Sequence, residues 1–404
     1  MKIAFVTPEY VTSERADGGL ANYVKKTARF LSQRGCEVWV FVLSQRNCLW
    51  NDEGVTICEV RSLHLPRFLS RIPRLCLLLP VLDRLLACRN VAGRFWEYHR
   101  KTPFDIVQAS SYHAPGLSLI GNGKVPVVCR IPSYTPLWRS IPGYKRNFTN
   151  YLLEWLEIRQ VAGSDSCYAP SRFLADVYQR MEGLTPHLVR TPVDSTNMPL
   201  DDSVLRESCV RPPYLLVFGT LNRVKGTDLL AEALPQVMEK HKDLSLVLIG
   251  RDDGLPSGEK IHHHITEKYR EGAQRIHYFP PMQKSQLNPF IIGAEAVLLL
   301  SRVDNYPNTC LEALMLGKMV IGADNSSIEE IIRSGENGYL FKNGDPVNLQ
   351  CTIEKWLDEP FEERKAFSKR IQKYCGEVTM EDRIGQLLNY YDKVIQDFKE
   401  RRCI

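Results

Sequence analysis

The sequence predicts an α/β protein of two doubly wound domains, each on a parallel sheet, facing across a cleft. Three observations carry that expectation. Apolar runs of strand length alternate with amphipathic runs of helix length through both halves of the 404 residues. The run at 296–300 (AVLLL) is apolar throughout, as a strand covered on both faces must be. Glycines stand where a strand hands over to a helix, at Gly18-Gly19 and at Gly219.

Composition narrows the class. A hydrophobic content of 44% with 25% charged residues is that of a globular protein. No apolar run reaches the length of a membrane helix, and the longest, 75–82, contains Pro80. The opening MKIAFVTPEY reads as a strand and not as a secretory leader. Twelve scattered cysteines, with no C-x-x-C pair, suit reduced thiols and a cytoplasmic protein and offer no zinc site. The net charge of +5 is unevenly placed: residues 61–101 hold nine Lys/Arg against Asp83 and Glu97, so the remainder is slightly acidic.

The first half begins with a strand at 2–7, a loop at 8–17 and the Gly18-Gly19 pair. A helix over 20–34 follows from Leu20, Tyr23, Val24, Thr27, Phe30 and Leu31, and Gly35 ends it before a strand at 37–43. The G-x-G-x-x-G spacing is absent, which argues against a dinucleotide in this half. Residues 75–96 carry a helical apolar face beside Arg84, Arg89 and Arg94. That segment reads either as a basic surface for an anionic membrane or as an insertion with solvated arginines. The strand at 105–109 places His113 just past its carboxyl end, where α/β sheets bind ligands. A strand at 125–130 leads to Arg130, Pro132 and Ser133. A helix over 150–161, a strand at 166–169, and a helix capped by Ser171 come next. A last strand at 187–193 turns at Asp194 into a polar, proline-bearing linker at 198–213.

In the second half, a strand at 214–218 opens into a glycine loop with Arg223, Lys225 and Gly226, then a helix over 227–237. Cations and glycine before a helix suit a diphosphate. Strands are expected at 244–250 and 276–279. The consecutive His262, His263 and His264 cannot all face one metal ion from a helix. The run at 296–300 leads through Asp304, Asn305, Tyr306 and Pro307 into a helix holding Leu311, Leu314 and Met315, stopped by Gly317. Its first amides form an anion site, flanked by Asp304 in the loop and Glu312 one turn into the helix. Helices are expected over 327–335, after Asp345-Pro346, and over 379–401.

Asp304 and Glu312, with Pro307-Asn308 between them and Ala313-Leu314 after, resemble the E-x7-E motif of retaining GT-B glycosyltransferases of family 4, the glycosyl transferases group 1. The loop with Lys225-Gly226 looks like that family's G-R-x4-K-G element. The resemblance implies two Rossmann-like domains, an acceptor domain at 1–200 and a nucleotide-sugar domain at 210–380, with a helix at 381–404 crossing back. It implies transfer of a sugar from a nucleoside diphosphate, such as a UDP-sugar, to a saccharide or lipid-linked acceptor in polysaccharide or glycoconjugate synthesis. Donor contacts would come from Gly18, Gly19, Arg223, Lys225, Met282, Asn308, Thr309 and Leu311, with Glu312 on the ribose. Asp304, His113 and Lys225 would serve the chemistry. No cofactor, metal or nucleic acid is implied, and a peripheral membrane contact through 61–101 stays one of the two readings of that basic segment. Three positions depart from the family: Asp304 for Glu, shorter by about 1.5 Å, Thr220 for Arg, and Pro132 for His. An epimerase of the same fold, or a non-catalytic binder of sugar nucleotides, are the alternatives.

Overall fold

The structure is a computed structural model and describes residues 1–11, 18–72, 75–141, 143, 147–192, 199–376 and 380–403. The chain forms two compact units. The first comprises residues 1–139, 144–192 and 381–404, the second 140–143 and 193–380. Most of the loop at 8–17, and Val193 with Asp194, lie outside the described residues.

In the first unit β1 (Lys2–Thr7), α1 (Gly19–Gln33) and β2 (Glu37–Ser44) form the opening βαβ unit. A hairpin not expected from the sequence follows: β3 (Cys48–Asp52) runs antiparallel to β4 (Val55–Arg61). It turns at Glu53 and Gly54, both at positive φ. The helix α2 (Leu75–Lys101) leads to β5 (Ile106–Ser110) and β6 (Val127–Arg130). Then come α3 (Phe148–Gly163), β7 (Ser166–Ala169), α4 (Arg172–Glu182) and β8 (His187–Leu188). Ser171 caps α4 as expected, accepting from the Leu174 amide at 3.1 Å. The sheet order is β3-β4-β2-β1-β5-β6-β7-β8, parallel apart from β3. Successive strands are laid outward from β1 on one side, and the chain then returns to lay β5 on its other side. The switch point is therefore between β1 and β5.

The second unit opens with α5 (Ser203–Glu207), where the sequence suggested only linker. Residues before it dock on a later helix: the Asp201 amide donates to Ser285 O at 2.9 Å, and Asn288 Nδ2 to Pro199 O at 3.1 Å. Next come β9 (Tyr214–Phe218), β10 (Leu221–Asn222), α6 (Leu230–Lys240), β11 (Ser245–Ile249), β12 (Asp252–Gly254), α7 (Ile261–Lys268) and β13 (Ile276–Phe279). They are followed by α8 (Lys284–Gly293), β14 (Ala296–Leu299), α9 (Asn308–Met315), β15 (Val320–Ala323), β16 (Tyr339–Phe341), α10 (Pro346–Leu357) and α11 (Phe361–Gly376). The main sheet, β13-β11-β9-β14-β15-β16, is wholly parallel. Every residue of β9 and β14 is buried, as continuous apolar runs between two helical layers require. The switch point here lies between β9 and β14.

The expected helix over 327–335 is only a 3-10 turn at Ser327–Glu330. Asn337 explains the difference. Its Nδ2 donates to Ile331 O at 2.9 Å and its Oδ1 accepts from the Arg333 amide at 2.7 Å. One side chain thus takes backbone groups that a helix would have paired.

The last helix, α12 (Met380–Cys403), packs within the first unit. Tyr390 Oη donates to Ser166 Oγ at 2.7 Å. Tyr391 and Tyr168 both donate to the buried Gln108 Oε1, and the hydroxyls of Tyr168 and Tyr23 lie 2.9 Å apart. That buried, connected network fixes the helix against α1, β5 and β7.

Candidate active site

Lys225, Asp304 and the start of α9 gather at the β9/β14 switch point. The loop after β9 and the loop after β14 are brought together by glycine. Gly226 sits at φ 67, and a Cβ there would lie 1.8 Å from Leu300 O. No other residue allows the two backbones to approach so closely. Gly219, at φ 111, passes the start of α9, where a Cβ would meet Thr309 Cγ2 at 3.9 Å.

Lys225 Nζ then reaches Asp304 Oδ2 at 2.7 Å. Ser301 Oγ donates to the same oxygen at 2.8 Å, and the Asn305 amide to Oδ1 at 2.8 Å. Burial alone pushes the Asp304 carboxyl up, but the Lys225 charge and these donors outweigh it and hold it below its ordinary range. Asp304 is therefore a fixed anion and not a proton donor at neutral pH. The backbone carries the same loop into the helix through strain. Tyr306 adopts φ 51, which a bulky residue rarely does, and its amide is bonded by Ser327 Oγ. Ser327 also donates to Asp304 O at 3.3 Å. Pro307 follows as the residue before α9, which leaves the first amides of Asn308 and Thr309 at the positive end of the helix.

Glu312, one turn in, is engaged by a residue that the sequence did not suggest. Lys284 Nζ, at the start of α8, lies 3.2 Å from Glu312 Oε1. The signal available was a cation two residues after Met282, in the loop that follows β13. Arg223 sits beside Lys225, but its Nε faces Asp228 Oδ2 at 3.3 Å. That carboxylate is also held by both terminal nitrogens of Arg302, at 2.5 and 3.0 Å. Asp228 is thus shared between two guanidinium groups. Leu311 is buried in the core, so only its backbone is available to a ligand. Two of the three histidines of α7 go to separate carboxylates, His262 to Asp252 at 2.6 Å and His264 to Glu259 at 3.3 Å. Among the described residues no group of three or more metal-ligating side chains converges.

Gly18, Gly19 and His113 belong to the first unit. Gly18, at φ 123, is the residue before α1. His113 and Ala114 take the left-handed conformation in succession, at φ 66 and 46. The buried Glu157 holds that turn: its Oε1 accepts from the His113 amide at 2.8 Å and its Oε2 from Thr135 Oγ1 at 2.6 Å. Burial raises the Glu157 carboxyl above its ordinary value, against the pull of Thr135, the His113 amide and Arg84. The His113 ring stacks on Tyr112 with centroids 4.0 Å apart.

Residues 207–374 match the family model described as Glycosyl transferases group 1, and residues 17–197 the one described as Glycosyltransferase Family 4. The chain is 24% identical over 360 residues to D-inositol 3-phosphate glycosyltransferase 1 of Catenulispora acidiphila, covering 85% of this chain and 83% of that protein. Among solved structures, sucrose-phosphate synthase from Thermosynechococcus elongatus superposes with a TM-score of 0.78 at 16% identity, over 98% of this chain and 99% of that one. Anabaena HepE, solved with UDP and glucose, superposes at 0.70 and 15% identity, over 97% of this chain and all of that one.

Proposed function

The chain belongs to the group 1 glycosyltransferases of GT-B fold, and from that premise we propose a specific reaction. It moves a sugar, with retention, from a nucleoside diphosphate to a hydroxyl of a saccharide or lipid-linked acceptor. One observation carries the reading: Lys225 and the amino end of α9 converge where the β9 and β14 loops meet. A cation and a helix N-terminus on one side of a site suit a diphosphate. UDP is the first nucleotide to try, because a structural neighbour was solved with it.

Lys225, Arg223 and the backbone at Asn308, Thr309 and Leu311 hold the diphosphate, and Glu312 the ribose hydroxyls. Met282 borders the base. In the transfer the bond between the anomeric carbon and the β-phosphate oxygen breaks, and the acceptor oxygen bonds to that carbon. The acceptor proton passes to the departing phosphate, so no strong protein base is needed. Lys225 stabilises the charge that grows on the leaving group, and Asp304 orients Lys225 and faces the sugar. His113, in the first unit, is the group that meets the acceptor.

The site of action is the cytoplasmic membrane surface. Exposed Phe148, Tyr151 and Trp155 form a stripe at helical spacing on α3. The hydrogen bond from Thr149 Oγ1 to Leu77 O at 2.7 Å sets that stripe beside exposed Leu77 and Leu78 at the start of α2. No helix among the described residues is long and apolar enough to cross a membrane.

A thermal-shift screen against UDP-, GDP-, ADP- and dTDP-sugars tests the donor. One of them should raise the melting temperature, and Glu312→Ala should abolish the rise. A rise that survives Glu312→Ala would move the donor elsewhere, and no rise with any of the four would count against donor binding by the free protein.

A further inference from the structure

Asp228 stands between two guanidinium groups that hold it unequally. Arg302, in the loop after β14, pairs with it through both terminal nitrogens, Nη1 to Oδ1 at 2.5 Å and Nη2 to Oδ2 at 3.0 Å. Arg223, in the loop after β9, reaches Oδ2 with Nε at 3.3 Å. The Arg302 side chain is 17% exposed and that of Arg223 38%. A bidentate, enclosed pair is the strong one, and a longer, more exposed contact is the one that yields.

Arg302 is itself fixed by backbone groups. Its amide donates to Val224 O at 2.9 Å, and its Nη1 also donates to Arg223 O at 2.6 Å. Its own carbonyl accepts from Asn343 Nδ2 at 3.0 Å. Arg302 thus grips the two residues that precede Lys225. The Asp228 side chain is 10% exposed, so water does little for its charge and a cation must. Among the described residues only Arg223 and Arg302 pair with it. With Arg302 in place the carboxylate keeps a partner whether or not Arg223 stays.

We propose that Arg302 is a positioning residue for donor capture: by answering the enclosed Asp228 carboxylate on its own, it lets Arg223 leave Asp228 and turn to a nucleoside diphosphate. The step is an exchange of ion-pair partners, with no covalent bond made or broken. Without Arg302, the departure of Arg223 strands the Asp228 charge. Arg223 then stays where it is, and the diphosphate loses a cation. The inference rests on the donor reading above, which gives Arg223 to the diphosphate.

The full chain is titrated with UDP, GDP, ADP and dTDP by calorimetry, and the nucleotide that binds is carried through the variants. Arg223→Gln should weaken it by about tenfold or more, as loss of a charge-assisted hydrogen bond does. Arg302→Gln should weaken it as much, although no contact between Arg302 and the ligand is invoked, and should add nothing in the Arg223→Gln background. Asp228→Asn should return Arg302→Gln to near wild-type affinity, because a neutral side chain no longer detains Arg223. A loop merely loosened by loss of Arg302 gives no such return, and a long-range effect of its charge gives a further loss in the Arg223→Gln background. Either result overturns the proposal, as does wild-type affinity in Arg302→Gln. If Arg302→Gln does not fold, as judged by its circular dichroism, Asp228→Asn alone decides: affinity at or above wild type supports the exchange, and weaker binding overturns it. Unchanged affinity in Arg223→Gln, or no binding of any of the four by the wild type, counts instead against the donor reading and takes the exchange with it.

Discussion

Lys225 Nζ stands 2.7 Å from Asp304 Oδ2, joining the loop after β9 to the loop after β14. The pair is anchored on one side, since Ser301 and the Asn305 amide also hold Asp304. Lys225 keeps 40% of its side-chain surface exposed, so its outer face is open to a ligand. Lys225→Ala should therefore lower kcat/KM for the nucleotide-sugar by about 10²–10³, in line with loss of one preorganised donor to a developing anion. Release of nucleoside diphosphate in the presence of acceptor is the measurement, and an unchanged kcat/KM would remove Lys225 from the chemistry.

Two carboxyls displaced in opposite directions give a pH signature. Asp304 is held below its ordinary value, so the unfolded chain binds its proton more readily. Its stabilising contribution is complete above the unfolded value and is lost as pH falls through the folded one. Glu157 is raised by burial, so its ionised form disfavours the fold, and stability tied to it increases as pH falls through its folded value. In urea melts from pH 3 to 7, Asp304→Asn should lower the neutral midpoint and flatten the acid limb. Glu157→Gln should raise the neutral midpoint. The reverse order of these two variants at pH 7 would contradict the assigned directions.

Gly226 carries a structural expectation that is independent of substrate. Alanine there must take φ 67 and place its Cβ 1.8 Å from Leu300 O. Relief requires the β9 and β14 loops to part. Gly226→Ala should cost about 3 kcal/mol or more in urea unfolding, and an unchanged urea midpoint would contradict the close approach at Leu300.

How much of this was legible follows from how local each signal was. Ser171 and Asp345 declare their helices because a cap and its helix are neighbours in sequence; Asp345 Oδ1 accepts from the Asn348 amide at 3.0 Å, just inside α10. The parallel strands of the second sheet were readable because burial on both faces leaves unbroken apolar runs. The hairpin at 48–61 was missed although Glu53-Gly54 marks its turn, because β3 is half exposed and has no clean alternation. Long-range pairs left no trace. Nothing near Glu312 announces Lys284, 28 residues away, and nothing near Arg130 announces that Tyr23 lies beneath it. Strand order, which creates both switch points, is invisible in composition.

Lys284 gives a prediction that separates binding from chemistry. It touches Glu312, 3.2 Å away, and no described contact joins it to Asp304 or Lys225. Removing it leaves the Glu312 carboxylate without that partner and freer to turn from the ribose contact proposed for it. Lys284→Ala should raise KM for the donor about fivefold with little change in kcat, since the interaction is the same in ground and transition states. A fall in kcat with KM unchanged would instead place Lys284 at the leaving group.

The aromatic stripe on α3 makes the membrane reading testable without touching the site. Phe148, Tyr151 and Trp155 are 59, 44 and 57% exposed, an outward arrangement that costs solvation unless something covers it. Exposed Phe68, Ile72, Leu77 and Leu78 continue the apolar surface into the segment where the positive charge is concentrated. Rings with a polar edge and arginine side chains are the groups that settle at a headgroup boundary. Each basic residue near an anionic surface adds about 1 kcal/mol, screened by salt. The protein should therefore sediment with vesicles containing phosphatidylglycerol, less so as salt rises, and much less with phosphatidylcholine alone. Replacing Phe148, Tyr151 and Trp155 together by serine should abolish sedimentation while the fold stays cooperative and the melting temperature falls modestly, because each side chain is about half exposed and the Tyr151 ring also carries the Arg139 guanidinium at 4.0 Å. Sedimentation that survives the triple replacement would assign the contact to another face, and none with either lipid would leave the stripe to a protein partner.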